Sequence, residues 1–135
     1  MNTRLAAVAL DRAARGLGER EPGYCQRWVR QAVQAALGHR YDRWFRASAA
    51  LSAERFQASP PPGAIVLRTR DVLDTRQGDL LYCTTGHGGF GHVGIRVVGN
   101  RVAENSVVND GVFGAIGFRP LREFGFDVVV RLPEP

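Results

Sequence analysis

Residues 91–106 read Gly91-His92-Val93-Gly94-Ile95-Arg96-Val97-Val98-Gly99-Asn100-Arg101-Val102-Ala103-Glu104-Asn105-Ser106. Valine and isoleucine crowd the stretch on both sides of Gly99-Asn100, a favoured tight-turn pair. It therefore predicts a β-hairpin with strands over 92–98 and 101–106. Two registers are open. If Gly99 and Asn100 alone form the loop, Val98 pairs with Arg101 and Asn105 shares the face of His92. A three-residue loop of Val98, Gly99 and Asn100 puts Glu104 and Ser106 on that face instead, because a one-residue slip exchanges the two faces of a strand.

Outward from the hairpin, further strand-like runs cover 64–67, 79–83, 112–118 and 126–132. The N-terminal half has a different period. Leu5, Val8, Ala9, Ala13 and Leu17 recur at helical spacing and end at Gly16 and Gly18. After a Pro-Gly turn at 20–24, a second helix spans 25–37. It carries Val29, Ala32, Val33 and Ala36 on one face, and Gly38 is its stop. A weaker helical segment covers 47–58, and Pro60-Pro61-Pro62-Gly63 connects the halves. Helices followed by an antiparallel run of strands predict one α+β domain over 1–135. Its N-terminal helices pack on a C-terminal antiparallel sheet of five to six strands.

The 135 residues are enough to bury a core without disulfide staples. The 18 basic residues, all Arg, outnumber 13 acidic ones and give a net charge of +5. Arg forks suit carboxylates and phosphates, but an all-Arg basic set is also what coding bias produces. The arginines are scattered rather than clustered, which argues against a dedicated nucleic-acid surface. Two cysteines, Cys25 and Cys83, do not make a disulfide framework. The apolar patch at 5–10 stops at Asp11-Arg12, short of a signal-peptide core, and no run approaches the ~20 apolar residues of a membrane span. The expectation is synthesis in the cytoplasm without a signal peptide.

Cys25 opens the second helix. A thiol is a nucleophile only as thiolate, and a helix N-terminus favours that form through the macrodipole. The unpaired N–H groups of the first turn are also donors for an oxyanion. A cysteine on the buried face of an amphipathic helix is equally an ordinary packing residue, so Cys25 needs a partner to acquire meaning. His92 supplies one: it opens a strand between Gly91 and Gly94, with room for another group beside its ring. Those glycines also suit a bulge or a close backbone contact. The following strand offers Glu104 or Asn105 to accept the second ring N–H and fix the tautomer. Either is also compatible with a polar strand face.

A helix-opening Cys, then Gln77-Gly78-Asp79-Leu80-Leu81-Tyr82, then Gly91-His92-Val93-Gly94-Ile95 and Gly99 to Ser106, resembles the NlpC-type cell-wall peptidases and the related CHAP amidohydrolases. The likeness runs from about residue 24 to 131 and implies a papain-like core. It implies Cys25 as nucleophile on an amide of a peptidoglycan stem or crosslink, His92 as base, and Glu104 as the residue orienting it. Glu104 stands twelve positions after His92, the separation typical of the family, and this favours the three-residue loop. Two features depart from the NlpC pattern: Glu at the third position, and Tyr24-Cys25-Gln26-Arg27 where Asp-Cys-Ser-Gly is common. The scheme expects the backbone N–H of Cys25, with the Tyr24 hydroxyl or Gln26, at the oxyanion. It expects Arg27 or Arg30 near stem carboxylates, and no cofactor. The substrate is a wall polymer or peptide, reached after lysis or delivery, with an inhibitor or immunity protein as a further partner.

Rival readings use the same residues. Cys83, His87, His92 and Glu104 contain donors for Zn²⁺, although a glycine-rich loop over 84–91 is poor preorganisation and no HExxH helix is present. A non-catalytic module binding wall polymer or nucleic acid through arginines is a second. A papain-like toxin or effector acting on another amide is a third.

Overall fold

The computed structural model describes residues 1–19, 25–85, 87–109 and 112–135, with backbone alone at His87, 106–109 and 112–114. Three helices, α1 (Thr3–Arg15), α2 (Cys25–Leu37) and α3 (Ala49–Ala58), precede the sheet. The strands are β1 (Ile65–Arg68), β2 (Leu80–Cys83), β3 (His92–Val97), β4 (Arg101–Asn109), β5 (Val112–Pro120) and β6 (Val128–Arg131). They form one antiparallel sheet in the order β1-β6-β2-β3-β4-β5. No helix of the described residues is long and apolar enough to cross a membrane.

The expected α+β architecture is the observed one. Helix α2 has the expected ends, whereas α3 begins at Ala49 instead of 47 because Ser48 caps it: Leu51 N–H donates to Ser48 Oγ at 3.2 Å. The last strand is shorter than 126–132, since Phe126 packs under the preceding turn instead of pairing.

Two cores explain why several strands are apolar on both sides. The larger lies between sheet and helices. Leu5, Ala9 and Ala13 of α1, and Trp28, Val29, Ala32 and Val33 of α2, meet Tyr82, Val93, Ile95, Val97 and Val130 there. Each large side chain so buried contributes roughly 1.5–3 kcal/mol. On the opposite face Leu121, Phe124 and Phe126 cover Leu81, Val102 and Val129. Strand alternation therefore sends Val93, Ile95 and Val97 toward the helices and His92, Gly94 and Arg96 toward the smaller core.

The hairpin register is resolved. Val97 pairs with Arg101, so Val98, Gly99 and Asn100 form a three-residue loop, with positive φ at Gly99 (81°) and Asn100 (51°). Arg96 faces Val102 across the ladder, so Glu104, two residues on, shares the face of His92. Asn105, the alternative third residue, is thereby corrected: it is buried and alternates to the helix side.

Candidate active site

Cys25 is the first residue of α2 and His92 the first of β3, so both side chains sit at the ends of their elements. They meet there: the thiol lies close enough to the imidazole to raise its pKa. His92 is 3% exposed, and Cys25 is half-buried. His92 Nε2 donates to Glu104 Oε1 at 2.9 Å, which leaves Nδ1 as the nitrogen facing the thiol. Cys25, His92 and Glu104 thus form one connected chain of polar groups.

Two glycines make this meeting sterically feasible. A Cβ at Gly91, where φ is 71°, would stand 2.6 Å from the Cys83 carbonyl and 3.0 Å from Ala50 N. The bare backbone lets Ala50 N–H donate to Phe90 O at 2.9 Å, drawing α3 against the residues that precede His92. A Cβ at Gly94 would lie 2.4 Å from Val102 Cγ1 and 3.2 Å from the Phe124 ring. Its absence admits Phe124, whose ring centroid lies 5.1 Å from that of His92.

Glu104 is wholly buried. The same Oε1 that receives His92 also accepts from Arg119 Nη2 at 3.0 Å, and the Arg119 guanidinium lies 5.6 Å from the Phe124 ring centroid. Arg119 and Phe124 thus back the imidazole and carboxylate from the second face. Neither was found by sequence reasoning. The strand over 112–118 ended one residue before Arg119, and only the β4–β5 register, Val102 opposite Arg119, brings it to Glu104.

Burial by itself depresses the imidazole pKa of His92. The thiol of Cys25 and the Glu104 carboxylate, which accepts from the ring and carries the opposite charge, outweigh it and raise the value from 6.5 to about 8. Both partners therefore favour the protonated ring, the form His92 takes on receiving a proton from the thiol.

Gln26 differs from its expected place at an oxyanion. Its side chain is buried; Nε2 donates to Ser52 Oγ, and Oε1 accepts from the Tyr82 hydroxyl at 3.4 Å. Burial raises the pKa of that phenol far above its ordinary value, so it stays a donor. Ser52 in turn donates to Ser48 O at 3.0 Å. Gln26 is thus a strut tying the first turn of α2, and hence Cys25, to α3 and β2. Tyr24 lies outside the described residues. Arg27 is exposed, and Trp28 is core at 2% exposure.

The residues of the zinc reading do not assemble as a set. Cys83 is paired across the ladder with His92, and its Sγ–H donates to Thr85 O at 3.2 Å. The side chain of His87 lies outside the described residues. Among the described residues no three His, Cys, Asp or Glu side chains converge as metal ligands. Both cysteines are free thiols.

Asp79, part of the Gly-Asp-Leu stretch, is structural. Its carboxylate is buried and takes both arms of Arg131, at 2.9 and 2.8 Å, together with Arg76 N–H at 2.7 Å.

Comparison of the sequence with protein-family models and with curated proteins gives no match. Comparison of the fold does. The endolysin LysIME-EF1 superposes with a TM-score of 0.65 at 18% identity, covering 99% of this chain and 66% of that one. This chain thus spans slightly less than two thirds of the endolysin's length. The NlpC/p60 domain of the peptidoglycan hydrolase SagA superposes with a TM-score of 0.61 at 16% identity, covering 94% of this chain and 98% of the domain. The chain has the papain-like fold of the NlpC/p60 domain.

Proposed function

We propose that this chain, built on the NlpC/p60 fold, is a cysteine hydrolase that cleaves amide bonds in peptidoglycan stem peptides or their crosslinks. One observation carries the reading: the helix-opening thiol of Cys25 lies beside an imidazole whose other nitrogen is held by a buried carboxylate at 2.9 Å. The substrate class is taken from the two fold neighbours, an endolysin and a peptidoglycan hydrolase.

In the proposed reaction His92 Nδ1 takes the Cys25 proton and the thiolate attacks the amide carbonyl carbon. The carbonyl oxygen becomes an oxyanion held by unpaired backbone N–H groups of the first turn of α2. The C–N bond then breaks, and the imidazolium gives its proton to the departing amine. Water, deprotonated by the same imidazole, attacks the thioester and releases the carboxylate product and the free thiol. Glu104 keeps its hydrogen bond to Nε2 throughout, so Nδ1 stays aimed at sulfur. Arg119 holds Glu104, and Gln26 holds the helix start; both are positioning residues.

Purified peptidoglycan incubated with the protein and analysed by mass spectrometry tests the reading. It expects fragments that gain one water per cut, each with a new amine and a new carboxylate, and these name the bond. A digest identical to untreated wall ends the proposal.

A further inference from the structure

Three guanidinium groups face one open cavity of about 600 Å³, on the side of the sheet away from the helices. They belong to Arg76, to Arg96 of β3 and to Arg122 beyond β5, and no Asp or Glu lines the space. Arg96 is held in place by neutral oxygens. Its Nη1 donates to Thr75 Oγ1 at 2.9 Å, and its Nη2 to Asn100 Oδ1 at 3.0 Å. Its Nε is buried with no acceptor among the described residues. Arg76 spends Nη1 on the carbonyls of Leu73 and Thr75, at 3.1 and 3.2 Å. None of the three makes an ion pair with a carboxylate of the described residues.

The carboxylate that acts most on Arg96, Asp79, is already engaged by both arms of Arg131. Burial lowers the pKa of Arg96, Asp79 opposes that shift, and Arg76 adds to it. Three like charges around one hollow repel each other, and an anion placed among them relieves that repulsion. Arg forks bind planar carboxylates and phosphates through paired donors.

We infer that this cavity is a binding site for an oxyanion, a carboxylate or a phosphate, held by Arg76, Arg96 and Arg122. Its place relative to the candidate active site is fixed by β3. His92 and Arg96 lie on the same face of β3 four residues apart, about 13 Å along the strand. A smaller cavity of about 350 Å³ shares Leu121 and Arg122 with the first and is bounded by Phe124, whose ring touches His92. Neither cavity is lined by Cys25, His92 or Glu104, so the anion site stands apart from the thiol. Oxyanion binding there does not depend on the proposed hydrolase function.

Inorganic phosphate and glutarate titrated separately into the Cys25→Ala protein at fixed ionic strength, with chloride as control, test the site without any turnover. The expected result is saturable binding of at least one of them, weakened roughly tenfold or more by Arg122→Gln through loss of a charge-assisted hydrogen bond. Arg122 is exposed and holds no described residue, so this variant keeps its fold. Binding of both probes points to a carboxylate or a phosphate ligand alike; binding of phosphate alone points to a phosphate ligand. A response no greater than that of chloride, or one unchanged by Arg122→Gln, overturns the site.

Discussion

Glu104 Oε1 accepts two hydrogen bonds at once, from His92 Nε2 at 2.9 Å and from Arg119 Nη2 at 3.0 Å. One buried oxygen therefore fixes the imidazole while being fixed itself from the neighbouring strand. A carboxylate so placed has little freedom to leave the ring. Glu104→Gln preserves the shape and removes the charge, and the loss of that charge lowers the His92 pKa. In the proposed reaction the imidazolium protonates the leaving amine, so the alkaline limb of the rate profile is expected near pH 8 and moves toward 6.5 in Glu104→Gln. An unmoved limb would separate Glu104 from the chemistry.

Arg119 acts through Glu104 and touches neither sulfur nor substrate in this account. Arg119→Met is expected to lower kcat by about 10- to 100-fold, the worth of one hydrogen bond to a charged group, with KM little changed. Arg119→Lys should recover part of the loss, since it restores the charge but not the fork. A merely structural role would instead lower the folded fraction and leave the kcat of the folded enzyme intact.

His92 also links stability to pH. Its pKa is raised on folding, from 6.5 to about 8, so the folded state binds the proton more tightly than the unfolded chain. The resulting stabilisation is fully present below pH 6.5 and is lost as pH rises through about 8. It amounts to something on the order of 2 kcal/mol. Urea unfolding of wild type and His92→Gln at pH 6 and pH 9 checks this: the wild type should lose stability across that range by more than the variant does.

Gly94→Ala forces a Cβ to within 2.4 Å of Val102 Cγ1 and 3.2 Å of the Phe124 ring. Overpacking of this kind costs about 1–3 kcal/mol, and here it also presses on the ring that backs His92. A lowered urea midpoint accompanied by lower activity per folded molecule is expected.

Asp79→Asn separates fold from chemistry. It leaves the mostly buried Arg131 without its carboxylate, which is expected to cost about 3 kcal/mol. Asp79 makes no contact with Cys25, His92 or Glu104 in the arrangement described, so the folded fraction should retain its kcat. The measurements are denaturant unfolding and activity normalised to folded protein.

Much of this arrangement was legible in the sequence because local rules agreed with the global fold. Helix α2 was bounded by its apolar face and by Gly38, and the β3–β4 hairpin by Gly99-Asn100. The face of Glu104 was not readable from periodicity, since it depended on whether Val98 joined the loop; the spacing from His92 in the resemblance favoured the observed register. Arg119 and Phe124 were hidden for a different reason. Their contacts with Glu104 and His92 cross from β5 and from the turn after it, and long-range register leaves no local mark on sequence. Gln26 misled because a polar residue beside a nucleophile looks the same whether its amide faces substrate or, as here, Ser52 and Tyr82.

Cys25 is the attacking group in the proposed reaction, and parallel assays of wild type, Cys25→Ala and Cys83→Ala decide whether it is. The readout is new free amine released from purified peptidoglycan, normalised to folded protein. Wild type and Cys83→Ala are expected to release comparable amounts, and Cys25→Ala none above the untreated wall. Equal release by wild type and Cys25→Ala would contradict the proposed role of Cys25.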